Sequence, residues 1–264
     1  MKYNNNNYKE ILEALELPAY WEDRLKSKIH KDSEHSLRVL DEMGSLVSGT
    51  AVSHKLYSEN KSVRKHAKSI FMKLSSHDSF KFLDNDFDRD FNALDEVRIH
   101  KSLVSKSVEN PLPLLMRWVN LATNEKYKAY LIAEIAFFNQ NESTPQLAEL
   151  YKVTDSTLVK NSIVDTLGKL SYREVIPLLI SDFEYVGLST QELILDTLGL
   201  LGGRESLEFL TVVYSKTSNK ERLVKLIHFI YNIDKGGETY LQLKASTKSD
   251  FERSIIAYVE SGRS

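Results

Sequence analysis

The octapeptide IVDTLGKL at Ile163–Leu170 returns as ILDTLGLL at Ile194–Leu201. Near-identity at a short, regular interval marks supersecondary units that stack on one another, and this constrains the fold more than any single motif. Three of the five prolines, Pro113, Pro145 and Pro177, are equally spaced, and each opens an apolar segment: PLLMRWV, PQLAELY and PLLISDF. The same step leads on to FLTVVYS at Phe209 and LQLKAST at Leu241. Proline suits the first turn of a helix, where its missing N–H has no intrahelical partner to lose.

A second helix follows each of these segments. Its apolar anchors align as Ile135, Leu167, Leu198 and Ile230, then Phe138, Leu170, Leu201 and Ile233. Within LVKNSIVDTLGKL, Val159, Ile163, Val164, Leu167 and Leu170 occupy one helical face, with none of the alternation of a strand. Val63, Ala67, Ile70, Phe71 and Leu74 repeat the pattern, and Leu74 precedes Leu170 by three whole steps of the proline spacing. A helix pair leaves an apolar flank that only an equivalent neighbour can bury, so the same residues must return at the same places. Gly168 and Gly199 sit at matched positions inside two second helices. Glycine costs roughly 1 kcal/mol relative to alanine there, and close helix–helix approach is the expected compensation.

The segments DSTLVKNSIVDTLGKLSYREVIPLLI and LSTQELILDTLGLLGGRESLEFL resemble HEAT repeats. Asp155, Val159, Lys160, Leu167, Gly168 and Leu170 match the layout of that family's second helix, with lysine in place of arginine. SVRKHAKSIFMKL keeps Val63, Arg64 and Ala67 but has Phe71 and Met72 where the family often has leucine and glycine. The resemblance covers residues 50–80 and 112–235. It implies an all-α, right-handed α-α superhelix, a solenoid of antiparallel helix pairs with a period of about 32 residues. SVRKHAKSIFMKL, SFKFLDNDFD and RWVN also resemble bacterial HEAT-repeat proteins that carry an N-terminal membrane helix and often lie beside glycosyltransferases. That kinship implies the soluble part of a membrane-anchored protein, with the anchor upstream; without it, the expectation is a cytoplasmic protein.

The expected organisation is one continuous solenoid: an N-terminal helical cap with a frayed start over residues 1–48, irregular repeats over 49–110 and regular repeats over 111–264. The cap holds helices at Trp21–Ile29 and Glu34–Leu46 around a polar turn, HKDS. Gly49–Glu59 pairs with Ser62–Ser75, and a longer helix, Phe91–Ser107, breaks before NPLP at Asn110–Pro113. Gly202–Gly203 and Gly236–Gly237 are expected to cap helix ends.

Composition excludes several chemistries. There is no cysteine among the 264 residues, which removes disulfides, thiolate zinc sites, cysteine nucleophiles and iron–sulfur clusters. The balance of 35 basic against 37 acidic side chains lacks the excess of a general nucleic-acid binder. No apolar run reaches the ~18 residues of a membrane span, and the N-terminus MKYNNNNYKEILEAL has no apolar signal core. The seven histidines include no HExxH and no i, i+4 pair, and no phosphate-binding glycine loop, GxGxxG or GxSxG occurs. SSHDS at Ser75–Ser79 places Ser, His and Asp side by side, whereas a catalytic triad converges from distant segments; it is read as a helix end. No catalytic residue, metal ligand or cofactor is implied.

Two charged features remain. In DNDFDRDF, Asp84, Asp86 and Asp88 alternate as in a calcium loop, but Arg89 stands where the loop needs glycine and Asp95 where it needs a bidentate glutamate. The stretch reads as a solvated acidic connector, with an acidic patch for a basic partner as the functional alternative. Lys61, Arg64, Lys65 and Lys68 fall at i, i+3, i+4 and i+7, a basic stripe that Arg98 and Lys101 extend. It is either a solvated helix face or a contact for an anionic partner. With Lys160, Lys225 and His228 these residues form the expected binding set on the concave face. Asp165 and Asp196 either share that groove or bond internally to the neighbouring repeat. Trp118 and Phe137 or Phe138 are expected inside, and Tyr20–Trp21 to cap the N-terminal end. The expected function is a non-catalytic scaffold that binds a protein partner. The alternative is an anionic-ligand or nucleic-acid binder acting through the helix around residues 61–73, similar to HEAT-like DNA glycosylases. A repeat lyase similar to those acting on bilins has no catalytic constellation to support it.

Overall fold

A computed structural model describes residues 5–27, 29–75, 78–247 and 249–261. Among the described residues there are fifteen α-helices and no strand. In chain order they are α1 (Asn5–Ala14), α2 (Leu17–Leu25), α3 (His30–Met43), α4 (Lys61–Leu74), α5 (Ala93–Glu109), α6 (Met116–Leu121), α7 (Glu125–Phe137), α8 (Thr144–Val153), α9 (Thr157–Lys169), α10 (Ile176–Asp182), α11 (Leu188–Leu201), α12 (Arg204–Lys216), α13 (Lys220–Asp234), α14 (Glu238–Ser246) and α15 (Asp250–Glu260). Among the described residues no helix is long and apolar enough to cross a membrane.

The period resides in one series of these helices. α4, α5, α7, α9, α11, α13 and α15 begin at Lys61, Ala93, Glu125, Thr157, Leu188, Lys220 and Asp250, a nearly even spacing. In six of the seven the first turn is closed by a matched side chain; α11, preceded by Gly187, has no side-chain cap. The side-chain oxygen of Asn60 accepts from Val63 N, Asn92 from Leu94 N, Asn124 from Lys126 N, Ser156 from Val159 N, Asn219 from Arg222 N and Ser249 from Glu252 N. Each cap satisfies a donor that the helix itself leaves unpaired. The elements before these helices are less regular. Pro145 and Pro177 lie in the first turns of α8 and α10, as expected, but Pro113 lies outside any helix, ahead of α6. Ahead of α4 and α5 the slot holds only 3₁₀ helices, Gly49–Lys55 and Lys81–Asn85. The expected turn at His30–Ser33 is instead the first turn of α3, and α1 begins within the Asn4–Asn7 tract, of which Asn4 lies outside the described residues.

The chain divides into two compact units, Met1–Leu131 and Ile132–Ser264, with the division inside α7. In the second unit α9 packs on α11, α11 on α13 and α13 on α15, while α8, α10, α12 and α14 pack beside them. The anchors Ile135, Leu167, Leu198 and Ile230 are all fully buried. The contacts between successive helices keep a nearly constant offset. Asn161 meets Thr190, Gly168 meets Thr197, Glu192 meets Arg222, Asp196 meets Lys225 and Gly199 meets Phe229, each 29 or 30 residues apart. An antiparallel pair would give offsets that fall along the helix, so α9, α11 and α13 run in the same direction.

Two devices set this packing. A buried threonine hydroxyl donates to a main-chain carbonyl of the preceding helix, Thr166 to Ile132 at 3.0 Å and Thr197 to Val164 at 3.3 Å. A glycine then makes room for a side chain of the following helix. A Cβ on Gly168 would sit 3.1 Å from Thr197 Cγ2, and one on Gly199 only 2.4 Å from Phe229 Cγ. The expected compensation for the two helix glycines is therefore present. In the first unit α2 packs on α3, α3 on α4, and α4 on α5 and on the 3₁₀ helix Gly49–Lys55. Ser102 of α5 donates to Ser69 O of α4 at 3.1 Å, the same device 33 residues apart.

The glycine contacts give graded expectations. Gly199→Ala should destabilise the protein by about 1–3 kcal/mol, because the base of the Phe229 ring cannot swing away from an added methyl. Gly168→Ala should cost less, since the roughly 1 kcal/mol gained in helix propensity offsets a milder contact. Urea denaturation of the two variants reads the difference, and equal midpoints would exclude the close approach.

Candidate functional site

The basic stripe on α4 and the acidic run that follows it, read separately from the sequence, are each other's partners. Arg64 binds Asp88 through two hydrogen bonds, Nε to Oδ2 at 2.7 Å and Nη2 to Oδ1 at 2.9 Å. Its Nη1 donates to the carbonyls of Ser58 at 2.7 Å and Glu59 at 3.2 Å. Lys68 reaches Phe87 O at 2.6 Å and Asp88 Oδ2 at 3.1 Å, and lies over the rings of Phe82 and Phe87. Lys65 is 2% exposed and donates to Asp95 Oδ2 at 2.5 Å and to Asp90 O. Lys61 alone of the four stays largely in solvent, 3.8 Å from Asp90.

The remaining carboxylates of the run also have protein partners. Asp84 accepts from Trp118 Nε1 at 2.8 Å. Asp86 accepts from Thr123 N at 2.8 Å, Asn124 N at 3.2 Å and the Thr123 hydroxyl. Asp95 completes a capping box at the start of α5, accepting from Asn92 N at 3.1 Å. Asp86 and Phe87 take left-handed backbone conformations, φ 55° and 58°, and Phe87 is buried. The alternation of Asp84, Asp86 and Asp88 thus sends successive carboxylates to different parts of the unit. Among the described residues no three His, Asp or Glu side chains are placed to hold a metal ion.

Burial would raise the Asp88 carboxyl, but Arg64 and Lys68 outweigh it and hold the group well below the usual carboxylate range. A second hub lies on the other flank of α4. Asp41 of α3 has the His66 ring at 3.9 Å, the Lys73 ammonium at 2.7 Å and the Lys101 ammonium at 3.6 Å, and the His66 ring and Lys73 hold its carboxyl far below the usual range. Arg98 lies 3.3 Å from Asp95 Oδ1. An exposed stripe would tolerate charge reversal at Arg64, Lys65 and Lys68 without loss of stability. The structure reverses that expectation, because each new carboxylate would face Asp88 or Asp95.

In the second unit the expected binding residues are also engaged. Lys160 lies 3.4 Å from Asp182 and 4.9 Å from the centre of the Tyr151 ring, whose hydroxyl donates to the same Asp182 at 2.7 Å. Burial, then the Asp182 carboxylate, pushes the Tyr151 hydroxyl up. Lys225 binds Asp196 at 2.7 and 2.9 Å, and His228 meets Asn232 at 2.9 Å. Asp165 pairs with Lys169 one turn on in α9. The internal bonds to a neighbouring backbone come from Thr166 and Thr197, the residues immediately after Asp165 and Asp196. Trp118 is buried as expected, whereas Phe137 is exposed and Phe138 half-buried. Ser76 and His77 of the SSHDS stretch lie outside the described residues. No protein-family model and no curated protein matches the chain.

Two expectations follow for the charged hubs. Lys65→Met should cost about 3–5 kcal/mol, because it leaves Asp95 charged and buried, while Lys61→Ala should stay within about 0.5 kcal/mol; chemical denaturation separates the two. Asp41 titrates lower in the folded than in the unfolded chain. Its contribution is therefore complete above the unfolded carboxylate pKa near 4 and is lost as pH falls below it. Asp41→Asn should flatten the fall of the melting temperature between about pH 5 and 2, and an unchanged acid limb would show that the hub contributes nothing.

Proposed function

We propose that the chain is a non-catalytic helical-repeat scaffold of the HEAT type whose work is to bind a protein partner. The observation that carries this reading is the parallel succession of α9, α11 and α13, which presents equivalent side-chain positions side by side over several repeats. Repeat stacks of this kind offer extended binding surfaces. The charges along these helices neutralise one another, Glu192 with Arg222 and Asp196 with Lys225. Large apolar side chains on the same helices, Leu188, Leu200 and Val224, remain exposed. Self-paired charge with exposed apolar anchors suits a protein surface better than a polyanion, whose affinity rests on unpaired cations. The anionic-partner alternative has less support as an extended strip, since Arg64, Lys65 and Lys68 already hold acidic groups of their own chain.

The test is affinity capture with the full chain from nuclease-treated extract, run in parallel with Leu188→Glu and Leu200→Glu. One protein recovered by the parent and lost by the variants, at unchanged melting temperature, is the expected result. Recovery of nucleic acid from untreated extract, with no protein that distinguishes parent from variants, would overturn the reading.

A further inference from the structure

A cavity of about 410 Å³ in the first unit is lined by Tyr57, Ser58, Glu59, Arg64, Lys68, Asn85, Asp88 and Arg89. Three of its walls are cations and two are carboxylates, so the lining carries one surplus positive charge. Arg64 spends four of its five N–H groups on Asp88, Ser58 O and Glu59 O, and Lys68 spends two of its three on Phe87 O and Asp88. Each keeps one donor without an acceptor among the described residues. Arg89 makes no hydrogen bond or ion pair among the described residues, although it follows directly on Asp88 in a loop where the other acidic side chains are anchored. Asp88 is buried, and both its oxygens already accept from Arg64 or Lys68, so it positions those cations and leaves little capacity to repel a ligand. Tyr57, 78% exposed, offers an apolar ring at the rim.

We propose that this cavity is a binding site for a small oxyanion-bearing molecule, a carboxylate or phosphoryl group held by Arg89 together with the spare N–H groups of Arg64 and Lys68. Planar guanidinium groups match both oxyanions, and the volume falls in the range of small-molecule sites. The network around Asp88 then has a second consequence besides tethering the loop: it holds Arg64 and Lys68 rigid at the cavity wall, so the ligand meets preorganised donors. The surplus of one charge suits a small mono- or dianion better than a polyanion. The site does not depend on the scaffold reading, since it lies within one unit and needs no partner protein.

The experiment is calorimetric titration of the full chain at low ionic strength with inorganic phosphate and, separately, with succinate. Saturable binding of at least one is expected. Arg89→Gln should weaken it by about tenfold or more, the loss of a charge-assisted partner, and Arg89→Lys should recover part of that loss. Because Arg89 makes no hydrogen bond or ion pair among the described residues, the melting temperature without ligand should be the same in all three proteins. Binding of phosphate alone assigns a phosphoryl ligand, and binding of succinate alone a carboxylate. Absence of saturable binding with both, or affinity indifferent to Arg89→Gln, would overturn the site.

Discussion

The packing of one helix on the next equivalent helix is the interaction on which the rest of this structure depends. It rests on two small groups. A threonine hydroxyl reaches back to a carbonyl of the preceding helix, and a glycine removes the Cβ that would strike a side chain of the following helix. Both act only at one crossing point, so each repeat must place them at the same depth. This is the physical reason for the recurring Asp-Thr-Leu-Gly: the threonine bonds, the leucine fills the core and the glycine admits the neighbour. The aspartate faces outward and pairs with a lysine, Asp165 with Lys169 and Asp196 with Lys225.

In the first unit α4 and α5 pack on each other with the same hydroxyl device, but among the described residues no α-helix lies between them. A 3₁₀ helix and an irregular loop connect them, and such a connector cannot satisfy its own backbone groups. Side chains of α4 supply the missing donors: Lys68 to Phe87 O and Lys65 to Asp90 O. Phe82, Leu83, Phe87 and Phe91 supply the apolar cover. A buried ion pair such as Lys65–Asp95 adds little net stability compared with apolar residues of equal volume. Its value lies in position: only one arrangement of the loop brings Asp88 and Asp95 onto Arg64, Lys65 and Lys68. That arrangement also leaves Arg89 without a partner among the described residues, at the mouth of a cavity.

Much of the helical register could be read from the sequence, because it follows from apolar periodicity. Ile135, Leu167, Leu198 and Ile230 were legible as core, and Gly168 and Gly199 as sites of close approach. The evenly spaced caps Asn60, Asn92, Asn124 and Ser156 carry the period more cleanly than the prolines, of which Pro113 lies in no first turn. What stayed hidden required a tertiary contact. The stripe and the acidic run were both visible, but nothing local says that Asp88 lies against Arg64, 24 residues away. The spacing i, i+3, i+4, i+7 describes one helical face and is silent on whether water or the chain's own loop covers it. The roles of Thr166 and Thr197 were hidden for the same reason, since a hydroxyl beside a more conspicuous aspartate carries no local sign of its distant acceptor.

The succession of parallel helices in register can be tested directly, because the chain has no cysteine of its own. A Cβ on Gly168 lies 3.6 Å from that of Thr197, within the range of about 3.5–4.5 Å that a disulfide requires. The double variant Gly168→Cys, Thr197→Cys, folded and mildly oxidised, should form an intramolecular disulfide detectable by mass spectrometry. Gly168→Cys with Asp196→Cys should not, because Asp196 turns toward Lys225. No cross-link in the first pair, or preferential cross-linking of the second, would contradict the register and with it the stack.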